Sequence, residues 1–353
     1  MRLSRYSFLP ISARLKAIFG ASISVQDRAI EKVQLAAADE SPTLPAVALP
    51  NEFSRVLDVE PNSTFDRENG YISSTRLAHG PTIAYKLADA ILADHTLYCA
   101  GSYSVYRKAK KRPILAEPYE QVDEGQLCSY APSNIYFGHW LRDALAMELL
   151  AETRGLPPLS FRRKPWLHEP GYREMVSLPG SPVTFAHVRR LWIVDDLGLN
   201  ASWVARFQEL RRRVQRSTGL DGPSHVFLAR GTTGTSRELV NTSTLMEYLV
   251  ARGFSIVEPE KLSPREIVKA LASAKIVVSV EGSALNHAHY AVPEKSGVLV
   301  IQPPERFNAF HKVLLDFNNI RFGYVVGERA LGGFTLAPER LLRTLDLLET
   351  IVG

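Results

Sequence analysis

The chain of 353 residues contains only two cysteines, Cys99 and Cys128. Neither stands in a CxxC or comparable spacing, which excludes a disulfide framework and a cysteine-built metal centre and makes a reducing compartment the expectation. Long apolar runs are also missing, since nothing approaches the ~18–20 uninterrupted residues needed to cross a bilayer. A signal peptide is not expected, because Pro10, Arg14 and Lys16 interrupt the N-terminal apolar stretch. There is no internal repeat and no low-complexity tract. Zinc-finger spacings, helix-turn-helix patterns and the aromatic signatures of RNA binders are absent, so no nucleic-acid partner is expected.

What is present is a globular composition, 45% hydrophobic and 22% charged, in a chain long enough for about two domains. The formal charge of +5 points to an anionic partner. Basic residues gather at Arg107–Arg112, Arg162–Lys164 and Arg211–Arg216, where a solvated face is the plain alternative. The basic, partly amphipathic N-terminus reads as a docking segment. Its alternative is a peripheral membrane contact through Leu15, Ile18 and Phe19. The expected location is therefore cytoplasmic, with the inner membrane surface as the alternative.

Three segments are expected. Residues 1–50 form a basic N-terminal segment ending in the proline-punctuated SPTLPAVALPNEF. Residues 51–217 form an N-terminal α/β domain, with strand-like RVLDVE, GYISSTRLA and HTLYCAGSYSVY, a helix over 139–152, a loop over 154–182 and the strand LWIVDD. Residues 218–353 alternate VFLAR, FSIVEP, KIVVSV, GVLVIQP and IRFGYVVG with helices, the pattern of a mainly parallel sheet. The final helix is expected to be able to pack back on the N-terminal domain. Gly253 should end the helix over 242–252, and Ser263-Pro264-Arg265-Glu266 is a capping box opening the next one.

Ligands in an open parallel sheet bind outside the carboxyl ends of the strands. Two loops suit that place. One runs from Arg230 to Arg237 (RGTTGTSR), with glycines for close approach and two arginines for charge, yet without the GK[ST] ending of a P-loop. The other is Glu281-Gly282-Ser283-Ala284, a strand-to-helix turn suited to a diphosphate, or simply a tight turn. His287 and His289 lie two apart on a helix and face different ways, so no metal site is expected there. In the N-terminal half His139 and Asp143 fall on one helix face at i,i+4. That arrangement builds a general base, and equally a satisfied structural histidine.

These stretches together resemble glycosyltransferase family 61, which includes bacterial capsular polysaccharide transferases and eukaryotic xylosyl- and N-acetylglucosaminyltransferases. The resemblance rests on HWLRDAL (139–145), VFLAR, SRELVN (236–241), GFSIVEPEKLS and SAKIVVSVEGSALNHAHY, in that order, over residues 126–326. It implies a GT-B-like α/β fold, with two Rossmann-like domains facing across a cleft. It also implies metal-independent, inverting transfer of a hexosyl or pentosyl group from a nucleotide diphosphate sugar to a saccharide acceptor, lipid-linked in one version, with no further cofactor. By position it implies donor-binding roles for Arg230, Arg237, Asn241, Gly282, Ser283 and Asn286, and catalytic roles for His139 and Asp143. Glu281 departs from the histidine common before that glycine. It is assigned as a further catalytic candidate, a sugar-hydroxyl ligand or a side chain turned away from the diphosphate. A sugar-nucleotide epimerase and a non-catalytic nucleotide-sugar-binding module are the alternatives.

Overall fold

The computed structural model describes residues 8–19, 23–108, 119–219, 221–231 and 238–353. The chain divides into two compact units, Met1–Asp39 with His79–Phe207, and Glu40–Ala78 with Gln208–Gly353. The last of the three boundaries along the chain, between Phe207 and Gln208, falls inside the helix Ala201–Arg216. No helix among the described residues is long and apolar enough to cross a membrane.

The first unit is built, among its described residues, on an eight-stranded mixed sheet. Strand Thr82–Ala93 pairs antiparallel with Glu31–Ala36, Thr96–Cys99 and Phe185–Asp195. On its other side Phe185–Asp195 runs parallel to Glu120–Leu127, which continues in parallel to Pro158–Phe161 and Ser181–Val183. The sheet is therefore half antiparallel, which corrects the expectation of a Rossmann-like first domain. Leu87, Leu92, Leu97, Leu127, Leu159 and Leu191 fill its core. The helix Phe8–Phe19 docks through buried Ala13, and Arg14 Nη2 donates to the Tyr98 hydroxyl at 2.9 Å. Leu15 stays half exposed, and the side chains of Ile18 and Phe19 lie outside the description.

Several first-half readings change. The expected loop over 154–182 holds two short strands and the helix Glu169–Val176, whose Tyr172, Met175 and Val176 are buried. RVLDVE is no strand but follows a short 3-10 turn. Of the strand expected over GYISSTRLA, residues 70–73 belong instead to the helix Phe65–Ser73, because Thr64 accepts the Arg67 N–H and Asp66 and Glu68 sit in its first turn, while Arg76–His79 is a strand as expected. Glu68 then accepts the Ala309 N–H at 2.6 Å, which fixes this segment in the second unit.

In the second unit five strands form a wholly parallel sheet: β1 (His225–Leu228), β2 (Ser255–Val257), β3 (Ile276–Val280), β4 (Gly297–Gln302) and β5 (Arg321–Val326). Their order is β2-β1-β3-β4-β5. Strands covered on both faces read as continuous apolar runs, which is how IVVSV and GVLVIQ come to be fully buried. The capping box at Ser263 and Glu266 is present, and Gly253 ends the helix Thr242–Ala251 at φ 83°. The final helix, Pro338–Val352, lays Leu341, Leu345 and Leu348 into this unit's own core.

Candidate functional site

In the first unit, a cluster forms just beyond the carboxyl end of strand Glu120–Leu127. Tyr130 is held there by its own turn: its N–H donates to Ser133 Oγ at 3.1 Å, and its carbonyl accepts from Ser133 Oγ and Asn134 Nδ2. A helix follows, α-helical over Phe137–His139, π-helical over Trp140–Ala144 and α-helical again over Leu145–Thr153. Such wide turns inside helices are frequent at functional sites.

The π turn brings together four side chains. Arg142 grips Asp143 with two charge-assisted hydrogen bonds of 2.6 Å, Nε to Oδ1 and Nη2 to Oδ2. The Tyr130 hydroxyl donates to Asp143 Oδ2 and also touches His139 Nδ1. His139 Nδ1 lies 3.0 Å from Asp143 Oδ2 and 2.8 Å from Arg142 Nη2. One proton therefore decides the tautomer, since a protonated Nδ1 satisfies the carboxylate and a bare Nδ1 satisfies the guanidinium.

Burial alone would raise the Asp143 carboxyl, but the Arg142 charge and the hydrogen bonds from His139 and Arg142 hold it at about 2. Burial and the Asp143 charge push the Tyr130 phenol up, so it remains a donor. Of the three ionisable side chains on the helix, His139 is the most open to solvent, at 36% exposure against 10% for Arg142 and 3% for Asp143. The cluster thus presents an imidazole edge backed by a locked carboxylate. A second pair is electrostatically coupled to it: Asp196 forms a bidentate pair with Arg206 and accepts from Thr82 Oγ1. Burial raises the Asp196 carboxyl to about 6, against the pull of Arg206 and with a push from Asp143.

Beneath His139, Trp140 stacks against Arg173, which pairs with Glu148 through both terminal nitrogens and with Glu169 through Nε. Arg163 joins through Glu169 at 2.7 Å. Part of the Arg162–Lys164 run is therefore a buried brace, not a solvated face. Arg211 is likewise buried, donating to the His289 and Val292 carbonyls at the end of the helix Leu285–Ala291. Desolvation lowers its guanidinium to about 10. Of the run Arg107–Arg112, residues 109–112 lie outside the described residues.

In the second unit the strand order reverses direction between β1 and β3, and their carboxyl ends open the crevice where parallel sheets of this order take ligands. Ser279 Oγ donates to the Leu228 carbonyl at 2.8 Å and ties the two strands just before they part. Arg230 follows β1, and its Nη1 donates to the Glu281 carbonyl at 2.6 Å, after β3. Gly282 has φ 151°, a setting that favours glycine, and it is followed by exposed Ser283.

The amides of Leu285, Asn286 and His287 close turns on the carbonyls of residues 282–284, so these three are not offered to a ligand. Asn286 donates to the Ser283 carbonyl, while its buried Oδ1 has no partner among the described residues. Asn241 is occupied at both ends by the Leu336 backbone, donating at 2.8 Å and accepting at 3.2 Å. Arg237 lies outside the described residues. Glu281 is 2% exposed, and its Oε1 is 3.9 Å from His311 Nε2. His289 Nε2 lies 2.8 Å from His311 Nδ1.

Tyr130, Arg142, His289 and His311 were not among the candidates from sequence. Arg142 carried a signal, standing between His139 and Asp143. Tyr130 and His311 carried none, because nothing in their own stretches announces what they meet.

The glycosyltransferase 61 family model matches residues 137–299. The match covers a little under half of the chain, includes every candidate site residue and supports glycosyltransferase family 61, and with it glycosyl transfer. No curated protein matches. Among solved structures, the chain is similar to two single-histidine mutants of a flavo di-iron protein from Thermotoga maritima. The mutant with aspartate in place of that histidine is 12% identical with a TM-score of 0.28, covering 52% of this chain and 47% of that one. The mutant with alanine there is 11% identical with a TM-score of 0.27, covering 61% and 51%. The chain spans about half the length of each, and a likeness at these scores says nothing about fold or function.

Proposed function

We propose that the chain transfers a sugar from a nucleotide diphosphate sugar to a hydroxyl of a saccharide acceptor, by a single inverting displacement and without a metal. The observation that supports this best is the position of Arg230 and the Glu281–Ser283 turn at the switch point between β1 and β3, inside the stretch matched by the family. In this reading the leaving diphosphate gathers charge in the transition state, and Arg230, Arg237 and the amides of Gly282 and Ser283 stabilise it there. Asn286 Oδ1 is an acceptor and suits a sugar hydroxyl better than a phosphate oxygen. Asn241 holds the chain after the Arg230–Arg237 loop in place rather than touching the donor.

His139 is the general base. With Nδ1–H donated to Asp143, the other ring nitrogen of this partly exposed side chain, Nε2, takes the proton from the acceptor hydroxyl. Asp143 orients that ring and is too acidic, at about 2, to serve as base itself.

The test is a thermal-shift screen against UDP-, GDP-, CMP- and dTDP-sugars, followed by transfer assays on saccharide acceptors. Binding to the native state raises its stability by mass action, so the nucleotide identifies itself. A donor converted to its epimer with no acceptor present would overturn the transferase reading in favour of the epimerase.

A further inference from the structure

Among the described residues, three groups meet His139 Nδ1, and two of them make opposite demands. Asp143 Oδ2, at 3.0 Å, accepts protons when ionised, whereas Arg142 Nη2, at 2.8 Å, can only donate. The third is the Tyr130 oxygen, which lies against both Nδ1 and Asp143 Oδ2 and can act either way. Arg142 also donates to that oxygen. Carboxylate and guanidinium therefore oppose each other at Nδ1, and the phenol breaks the tie.

The hydroxyl has one proton to give and two places to send it. Sent to His139 Nδ1, it leaves the ring proton on Nε2, which is then a donor. Sent to Asp143 Oδ2, it leaves a phenol lone pair facing Nδ1 beside the carboxylate. The ring proton then belongs on Nδ1, and Nε2 is bare. Asp143, held at about 2, is ionised at neutral pH, and a hydrogen bond to a carboxylate is about twice as strong as one between neutral groups. The second destination therefore wins.

We propose that Tyr130 is the positioning residue of this cluster: its hydroxyl, given to Asp143, turns a lone pair towards His139 Nδ1 and so keeps Nε2 bare. The consequence for turnover rests on the reading of His139 as the general base, because only a bare Nε2 can take the proton of an acceptor hydroxyl. The phenol is anchored for this task by its own turn, through Ser133 and Asn134, while the π-helical turn carries Arg142 and Asp143 to it. A phenylalanine in its place would keep the ring but leave carboxylate and guanidinium opposed at Nδ1.

The experiment has two arms. The first needs no substrate: imidazole ¹⁵N resonances of the full chain are recorded with the rings neutral, for wild type and Tyr130→Phe. His139 is assigned from the resonances that His139→Gln removes. The proposal expects His139 protonated at Nδ1 in wild type, and a measurable share protonated at Nε2 in Tyr130→Phe. A wild-type ring protonated at Nε2 overturns it, whether or not the variant folds. So do His139 resonances that ignore the substitution. The second arm measures transfer from UDP-, GDP-, CMP- and dTDP-sugars to saccharide acceptors. Tyr130→Phe should lower kcat by about tenfold or more and leave the donor KM within about twofold of wild type. An unchanged kcat, or a donor KM that rises as steeply as kcat falls, overturns the proposal. If wild type transfers no sugar, the transferase reading fails instead, and the resonance arm still decides the role of Tyr130.

Discussion

Asp143 in the first unit and Glu281 in the second are equally buried, at 2% exposure, yet their partners differ. Asp143 is clamped by a guanidinium at 2.6 Å, whereas Glu281 faces an imidazole at 3.9 Å. A bidentate guanidinium cannot give up its proton, so Asp143 is a fixed charge and the chemistry passes to the neighbouring imidazole. An imidazole can change its tautomer, so His311 can face Glu281 either as a donor or as an acceptor. The lesson is that a carboxylate at a site is assigned by its partner, not by its position in a motif.

The sharpest way to break this comparison is at the exposed imidazole. On the proposed reading, His139→Ala lowers kcat by about 10³-fold, within the range of general bases, and leaves nucleotide affinity unchanged. Nucleotide affinity that falls in parallel would place His139 on the donor side. Arg230→Ala is expected to cost about 10²-fold in turnover, as loss of a transition-state charge partner does, and to weaken nucleoside diphosphate binding in calorimetry. Near-normal turnover in that variant would remove the second crevice from the mechanism.

Asp143→Asn is expected to lower turnover by only about tenfold or somewhat more, because it removes an orienting charge and not the base. Its effect on stability has a definite pH window. The native carboxyl lies at about 2, below the ordinary value of 3.8, so its stabilisation is present above 3.8 and disappears as pH falls towards 2. Wild type should lose about 2 kcal/mol through this group across that interval, and urea unfolding of Asp143→Asn should lack that slope. Asp196 has the opposite sign. Its native carboxyl is raised to about 6, so the native state holds an extra proton between 3.8 and 6, and this group lowers stability as pH rises through that window. Carboxyl ¹³C titration should show Asp196 titrating near 6 while Asp143 stays ionised from about pH 4 upward. A shared midpoint would end the distinction between them.

The smallest expected effect is a control in the second unit. Gly253→Ala forces a left-handed φ of 83° on a residue with a Cβ in otherwise open space, at about 1 kcal/mol. Thermal unfolding should register it and turnover should not.

The two units also differ in how much of them could be read from the chain. From His225 to Val326 the strands of the second unit were legible one by one. Strands buried on both faces are written as continuous apolar runs, and its helices carry local punctuation at Ser263–Glu266 and Gly253. The helix Phe65–Ser73, in the early segment of the second unit, and the helix Glu169–Val176 of the first escaped notice. Their stability comes from distant partners: Glu68 meets the Ala309 amide, and Arg173 of the second helix meets Glu148.

By itself, the sequence determined the alternation of the second unit, the i,i+4 pairing of His139 with Asp143 and the turn at Glu281–Ser283, because each depends on residues close along the chain. Only the tertiary structure decided that Asp143 belongs to Arg142 and Tyr130 as well as to His139, that Asn241 serves Leu336, and that Glu281 faces His311, which in turn meets His289. The physical reason is that a side chain's charge and proton are set by whatever is packed within a few ångströms of it. For a buried residue, those neighbours come from other turns and other strands.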